Sequence, residues 1–167
     1  MNILKAATEW AKDEIFSSKF FILFGILFVI GTVGFWKLGK TDMAKAFVYP
    51  TLVVGGLLLV IGIGLLYTNK VRLANFPKDY DNDPADFVKT ELIRAEKTVK
   101  EYKTVVFTAI PIIIIAASLI LIFVDKPIWR AISIATIALM AVIMLIDSNA
   151  SKRMQDYHEQ LKLVEKK

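Results

Sequence analysis

The chain has 167 residues, 56% of them hydrophobic and 22% charged, with a mean hydropathy of +0.54, which is too apolar for a water-soluble domain of this length. It contains no cysteine, so a disulfide framework, a thiolate nucleophile and a Cys-ligated metal are all excluded. The net charge of +5 does not by itself point to nucleic acid, because the basic residues first have to be sorted by side of a membrane.

The first segment, residues 1–19, reads as an amphipathic helix. Ile3, Leu4, Ala7, Trp10, Ala11 and Ile15 share one face, with Lys5, Glu9, Lys12 and Asp13 opposite. Such a helix either lies in the inner leaflet interface, with Trp10 anchored at the headgroups, or joins the polar helices further along; the interfacial placement is the expectation. The apolar run at 20–36 follows directly. A cleaved leader does not fit it, because the preceding segment carries both signs of charge and the run ends in Phe-Trp-Lys without a small-x-small site.

Three more runs lie at 46–67, 104–124 and 128–146, and no charge falls deep inside any of the four. A hydrocarbon core of about 30 Å takes roughly 20 helical residues to cross, so the pattern predicts an all-α integral membrane protein with four spans. The first two form a transmembrane hairpin over 20–67. Of the 21 Lys and Arg residues, 16 lie in the N-terminal segment, the central loop and the tail, against five in the two short connections. This asymmetry predicts cytoplasmic termini and a multi-pass protein of the cell inner membrane. Most of the positive charge is then topology and attraction to anionic lipid.

Residues 68–83 read as a cytoplasmic linker, with Asn69, Asn75, Pro77, Asp79 and Asp81. The aspartates imitate the start of a calcium loop, but the sixth position is Pro84 and the twelfth is Thr90, where a glycine and a bidentate Glu are needed. Asp83 is instead the N-cap of a helix, with Pro84 at its first position and Asp86 at its third.

From Pro84 no glycine or proline intervenes until Pro111, so residues 84–167 are expected to form one long helical hairpin, with a polar stalk below the spans at 104–124 and 128–146. Val88, Leu92, Ala95, Val99 and Tyr102 recur at coiled-coil spacing, as do Met154, Tyr157, Leu161 and Val164 in the tail. The corner at 125–127 is too short for anything but antiparallel neighbours. That geometry sets Leu92 against Leu161 and Val99 against Met154. It also suggests cross-helix pairs Glu91–Lys162, Arg94–Glu159, Lys97–Asp156 and Glu101–Lys152. Within the membrane, the small and hydroxyl residues Gly25, Thr32, Thr51, Gly55, Gly62, Ala131, Ala135 and Ala138 are the expected seams.

Chemistry is hard to find. No charge lies deep in a span, no Ser-His-Asp set or phosphate loop can be assembled, and the single histidine, His158, falls in the charged tail, where a solvated role is expected. The expectation is therefore a non-enzyme without metal or cofactor, binding membrane lipids and either copies of itself or a partner protein, and not nucleic acid. Its function reads as protein–protein interaction, as an accessory subunit, scaffold or immunity-type inhibitor. The alternatives are a homo-oligomeric channel or transporter and a subunit of a membrane enzyme.

Overall fold

The computed structural model describes residues 3–165, which form four long helical rods joined by tight corners. Helix α1 (Ile3–Leu38) runs from the polar N-terminal segment through the first apolar run without interruption. Gly39 stops it. Its N–H meets the Phe35 carbonyl at 3.0 Å, and a Cβ there would collide with that oxygen, so the turn closes only on glycine. Thr41 then caps the short α2 (Asp42–Ala46), its hydroxyl accepting the Ala44 N–H at 3.1 Å.

Helix α3 (Val48–Asn82) returns through the apolar layer and continues for some four turns beyond it. Residues 68–82, expected as an irregular linker, are thus helical. Asn69, Leu73, Phe76 and Tyr80 recur at four, three and four residues, and that face packs inward, while Asn75, Pro77, Asp79 and Asp81 sit on the exposed side. Pro77 forfeits a backbone hydrogen bond there, and the tertiary contacts of Phe76 and Tyr80 outweigh it. In a helix Asp79 and Asp81 point away from each other, which removes any calcium-loop geometry.

Asp83 adopts an extended conformation (φ −153°, ψ 99°) and is the corner between rods. Its Oδ1 accepts the N–H groups of Ala85 and Asp86 at 2.9 and 3.1 Å, and Pro84 opens α4 (Pro84–Thr104). A π-helical turn, Val105–Ala109, joins α4 to α5 (Ile110–Phe123). Pro111 explains it: a proline has no N–H for the Phe107 carbonyl and its ring crowds that oxygen, and one wider turn absorbs the mismatch. Pro127 then opens α6 (Pro127–Glu165), which runs the full length of the molecule.

Each of the four rods is 36 to 41 residues long and contains a stretch apolar enough to cross a membrane. Helix α6 is the central one, packing against α1, α3, α4 and α5. The rods share two separate cores. One, in the apolar half, gathers Phe21, Val54, Leu58, Ala135, Leu139 and Ile146. The other, in the polar half, gathers Ile3, Ala7, Trp10, Ala11, Phe76, Phe87, Val88, Ala95, Met154, Tyr157 and Leu161. The N-terminal segment therefore does not lie apart on a leaflet. Trp10 is 6% exposed inside the polar half, because three other helices offer its apolar face a dry partner that a headgroup layer cannot match.

Candidate functional site: a buried ionic cluster

In the apolar half the closest approach is between α1 and α3. A Cβ on Gly62 would meet the Ile22 backbone nitrogen at 2.9 Å, and one on Gly55 would meet the Gly25 carbonyl oxygen at 3.0 Å. A Cβ on Gly25 would strike Leu59. Thr32 and Thr51 lie 2.9 Å apart and also reach the Phe28 and Phe47 carbonyls, so these hydroxyls are consumed within the helix pair. Ala131 and Ala135 are buried and Ala138 half-buried along α6. This half holds no charged group among its buried residues.

The polar half is different. Of the residues expected to line the stalk, Val88, Ala95, Met154, Tyr157 and Leu161 are buried, and Leu92, Val99, Tyr102 and Val164 are partly buried against the same cluster. Between them sits a set of buried polar groups that sequence spacing does not reveal. Helix α1 presents Trp10, Glu14, Ser17 and Ser18 along one face, with Glu14 7% and Ser18 1% exposed. Arg153 of α6 donates to Glu14 Oε1 at 2.9 Å and to Ser17 Oγ at 2.7 Å. Ser18 donates to the Glu14 carbonyl at 2.7 Å.

One turn further from the apolar half, Glu91 of α4 accepts from both Arg94 Nε (2.8 Å) and Arg94 Nη2, and from the Tyr157 hydroxyl at 2.9 Å. The Trp10 indole is the hub. Tyr157 stacks on it with centroids 5.6 Å apart and planes 10° from parallel, the Arg94 guanidinium carbon lies 4.3 Å from its centroid, and that of Arg72 lies 5.9 Å away. Arg72 in turn donates to buried Asn69 at 3.0 Å. All four rods therefore place a side chain at one tryptophan.

The electrostatics follow from burial. Desolvation pushes the Glu14 carboxyl above its ordinary range, although Arg153 pulls it down. Burial opposes the charge on Arg94, but its hydrogen bonds and attraction to Glu91 prevail and hold the guanidinium above its ordinary value. Tyr157 is driven far above the phenol range, first by burial and then by Glu91. The hydroxyl is therefore a firm donor and not a nucleophile.

The four cross-helix pairs expected between α4 and α6 do not form among the described residues. Glu91 pairs with Arg94, Lys97 with Glu101 and Lys100 with Glu96, all within α4, because neighbours one turn apart are always in reach, whereas cross-helix partners depend on register. His158 is half-buried with a buried Nε2, and burial lowers its pKa, so it is less solvated than its charged neighbours imply. Glu14, Asn69, Glu91, Arg94 and Arg153 are the site residues that spacing alone misses, whereas Trp10 lies on the face that spacing marks but packs among helices and not at headgroups. The one available signal is that Glu14, Ser17 and Ser18 prolong the face of Ala7, Trp10 and Ala11.

No group of three or more His, Cys, Asp or Glu residues that could hold a metal ion occurs among the described residues. The chain is a helical, membrane-type protein without an evident catalytic motif. Compared with known protein families, curated proteins and solved structures, it matches none.

Proposed function

We propose that this chain is a non-catalytic, multi-pass inner-membrane protein, with its polar half in the cytoplasm, that works by binding another protein as an accessory subunit, scaffold or immunity-type inhibitor. The supporting observation is Ile93. It is 62% exposed on α4 in the polar half, as Leu163 is on α6, and what distinguishes it is its setting. It lies in a shallow groove of about 480 Å³ on the outer face of α4, bordered by Glu96, Lys97, Lys100, Glu101 and Thr104. The charges beside it already pair within α4, leaving the isoleucine and the lysine stems as an apolar floor with a polar rim. A partner helix with one apolar anchor and alternating charges is the occupant this face suits.

A photo-crosslinking residue at position 93, placed in the chain in its native cells, should give one discrete adduct with a foreign protein, and Ile93→Asp should abolish co-purification of that protein while the helical signal stays unchanged. Adducts with lipid alone would overturn this reading. Adducts with a second copy would favour the homo-oligomeric channel or transporter instead.

A further inference from the structure

At the end farthest from the apolar half, Asp79, Asp83, Asp86 and Glu91 line one cavity, and the same end also carries Lys78, Lys89 and Lys162, so the two signs are mixed there. At the neck, where the rods enter the apolar half, each rod instead carries an exposed lysine: Lys19 on α1, Lys70 on α3, Lys103 on α4 and Lys152 on α6. Their common level follows from their neighbours. Lys152 adjoins Arg153 and Lys19 lies just over a turn beyond Glu14, the two partners of the 2.9 Å ion pair. Lys70 adjoins Asn69, the hydrogen-bond partner of Arg72, and Lys103 adjoins Tyr102, whose phenol feels Glu14, Arg153 and Arg72.

Among the described residues none of their ammonium groups has an ion pair or hydrogen bond, a state they share with Lys12, Lys78, Lys89 and Lys162, whereas Lys97 and Lys100, one turn away on α4, are both paired to glutamates. Each also has an exposed apolar side chain on the same rod toward the apolar half: Phe20, Tyr67, Val105 and Leu145. A cation standing over an apolar side chain at the edge of a span is matched by a phospholipid, phosphate outward and acyl chain inward. Of the carboxylates at this level, Glu14 pairs with Arg153 and Glu101 with Lys97, while Asp147 of α6 is half-buried and unpaired among the described residues, and desolvation followed by Glu14 raises its pKa to about 7.

We propose that this four-lysine belt binds anionic phospholipid headgroups in the leaflet next to the polar half, one or more lipids bridging adjacent rods. The belt needs the four spans but not a partner at Ile93, so the two proposals fail separately. The test uses the full chain in neutral detergent, titrated with phosphatidylglycerol, phosphatidylcholine or inorganic phosphate, with bound lipid counted by native mass spectrometry and the melting temperature followed in parallel.

Phosphatidylglycerol should be retained over phosphatidylcholine by at least an order of magnitude at low salt, with each lysine contributing on the order of five-fold, and the preference should shrink as salt rises. The variant K19Q/K70Q/K103Q/K152Q should lose it, and the equally discharged K12Q/K78Q/K89Q/K162Q should keep it. No preference in the unaltered chain, equal loss in both variants, or the same stabilisation by inorganic phosphate would each overturn the belt. If the first variant does not fold, the control still decides: loss of the preference in K12Q/K78Q/K89Q/K162Q would overturn the belt.

Discussion

The same four rods are held together differently at their two ends. In the apolar half they meet backbone to backbone, through Gly25, Gly55 and Gly62 and the Thr32–Thr51 contact. In the polar half they meet through an indole, a phenol, three guanidiniums and two carboxylates. The difference reflects solvent. Lipid tails are as apolar as leucine, so burying leucine against leucine gains little there, and close van der Waals approach between small residues decides which helices pair. In water the hydrophobic effect returns, and Trp10 can gather four helices while Glu91 and Glu14 pair with Arg94 and Arg153.

This contrast can be broken from either end. Trp10→Ala removes the hub, and truncating a buried tryptophan costs about 3–5 kcal/mol. The polar half should become protease-sensitive while helicity of the apolar half persists in detergent; coincident loss of both would show that the two cores are one cooperative unit. Gly62→Leu attacks the other end, where the new side chain must displace the Ile22 backbone, and overpacking of this kind costs roughly 1–3 kcal/mol. Its thermal transition should drop while Trp10, the one tryptophan that is buried, keeps its blue-shifted emission; an unchanged transition would remove the need for the close α1–α3 approach.

Smaller effects sharpen the comparison. Asp83→Ala leaves the N–H groups of Ala85 and Asp86 without their acceptor and should lower stability of the polar half by about 1 kcal/mol, with Asp83→Asn largely restoring it; equal melting of Ala and Asn variants would deny the cap its role. The smallest effect is the pH dependence from Glu14. Its folded pKa lies above the unfolded one, so the folded state holds the proton more tightly. The associated stability is complete below the unfolded carboxylate value and is lost as pH rises through the folded one. The difference in melting temperature between wild type and Glu14→Gln should therefore favour wild type more at mildly acidic pH than at pH 8, and a flat difference would mean that Glu14 titrates normally.

Much of this architecture is legible in residue order. The four spans follow from uninterrupted apolar length, and the corner at Asp83 is written in an Asp-Pro pair whose cap needs nothing beyond its own next three residues. The seam glycines are visible as small residues, but their partners are not: Gly62 could face any neighbour until the helices are placed. The stretch 68–82 misleads because its asparagines, aspartates and proline have linker chemistry, while the four-three-four recurrence of Asn69, Leu73, Phe76 and Tyr80 carries the helix. The ionic cluster was the least legible part. Glu14, Glu91, Arg94 and Arg153 look like surface charges in any window of sequence, and only their shared burial distinguishes them.

By itself the sequence determined what is local or one-dimensional: where the chain is apolar enough to enter lipid, where helices begin, and which faces are greasy. Tertiary structure decided the rest, namely that α1 closes over the polar half instead of lying apart, that Trp10 is a core residue, and that charges pair within α4 while Arg153 reaches across to Glu14. The reason is range. Hydrophobic length and capping act over a few residues, whereas the partner of a buried charge is chosen by where separate helices come to rest, since each group must find a counter-charge within a few ångströms once water is gone.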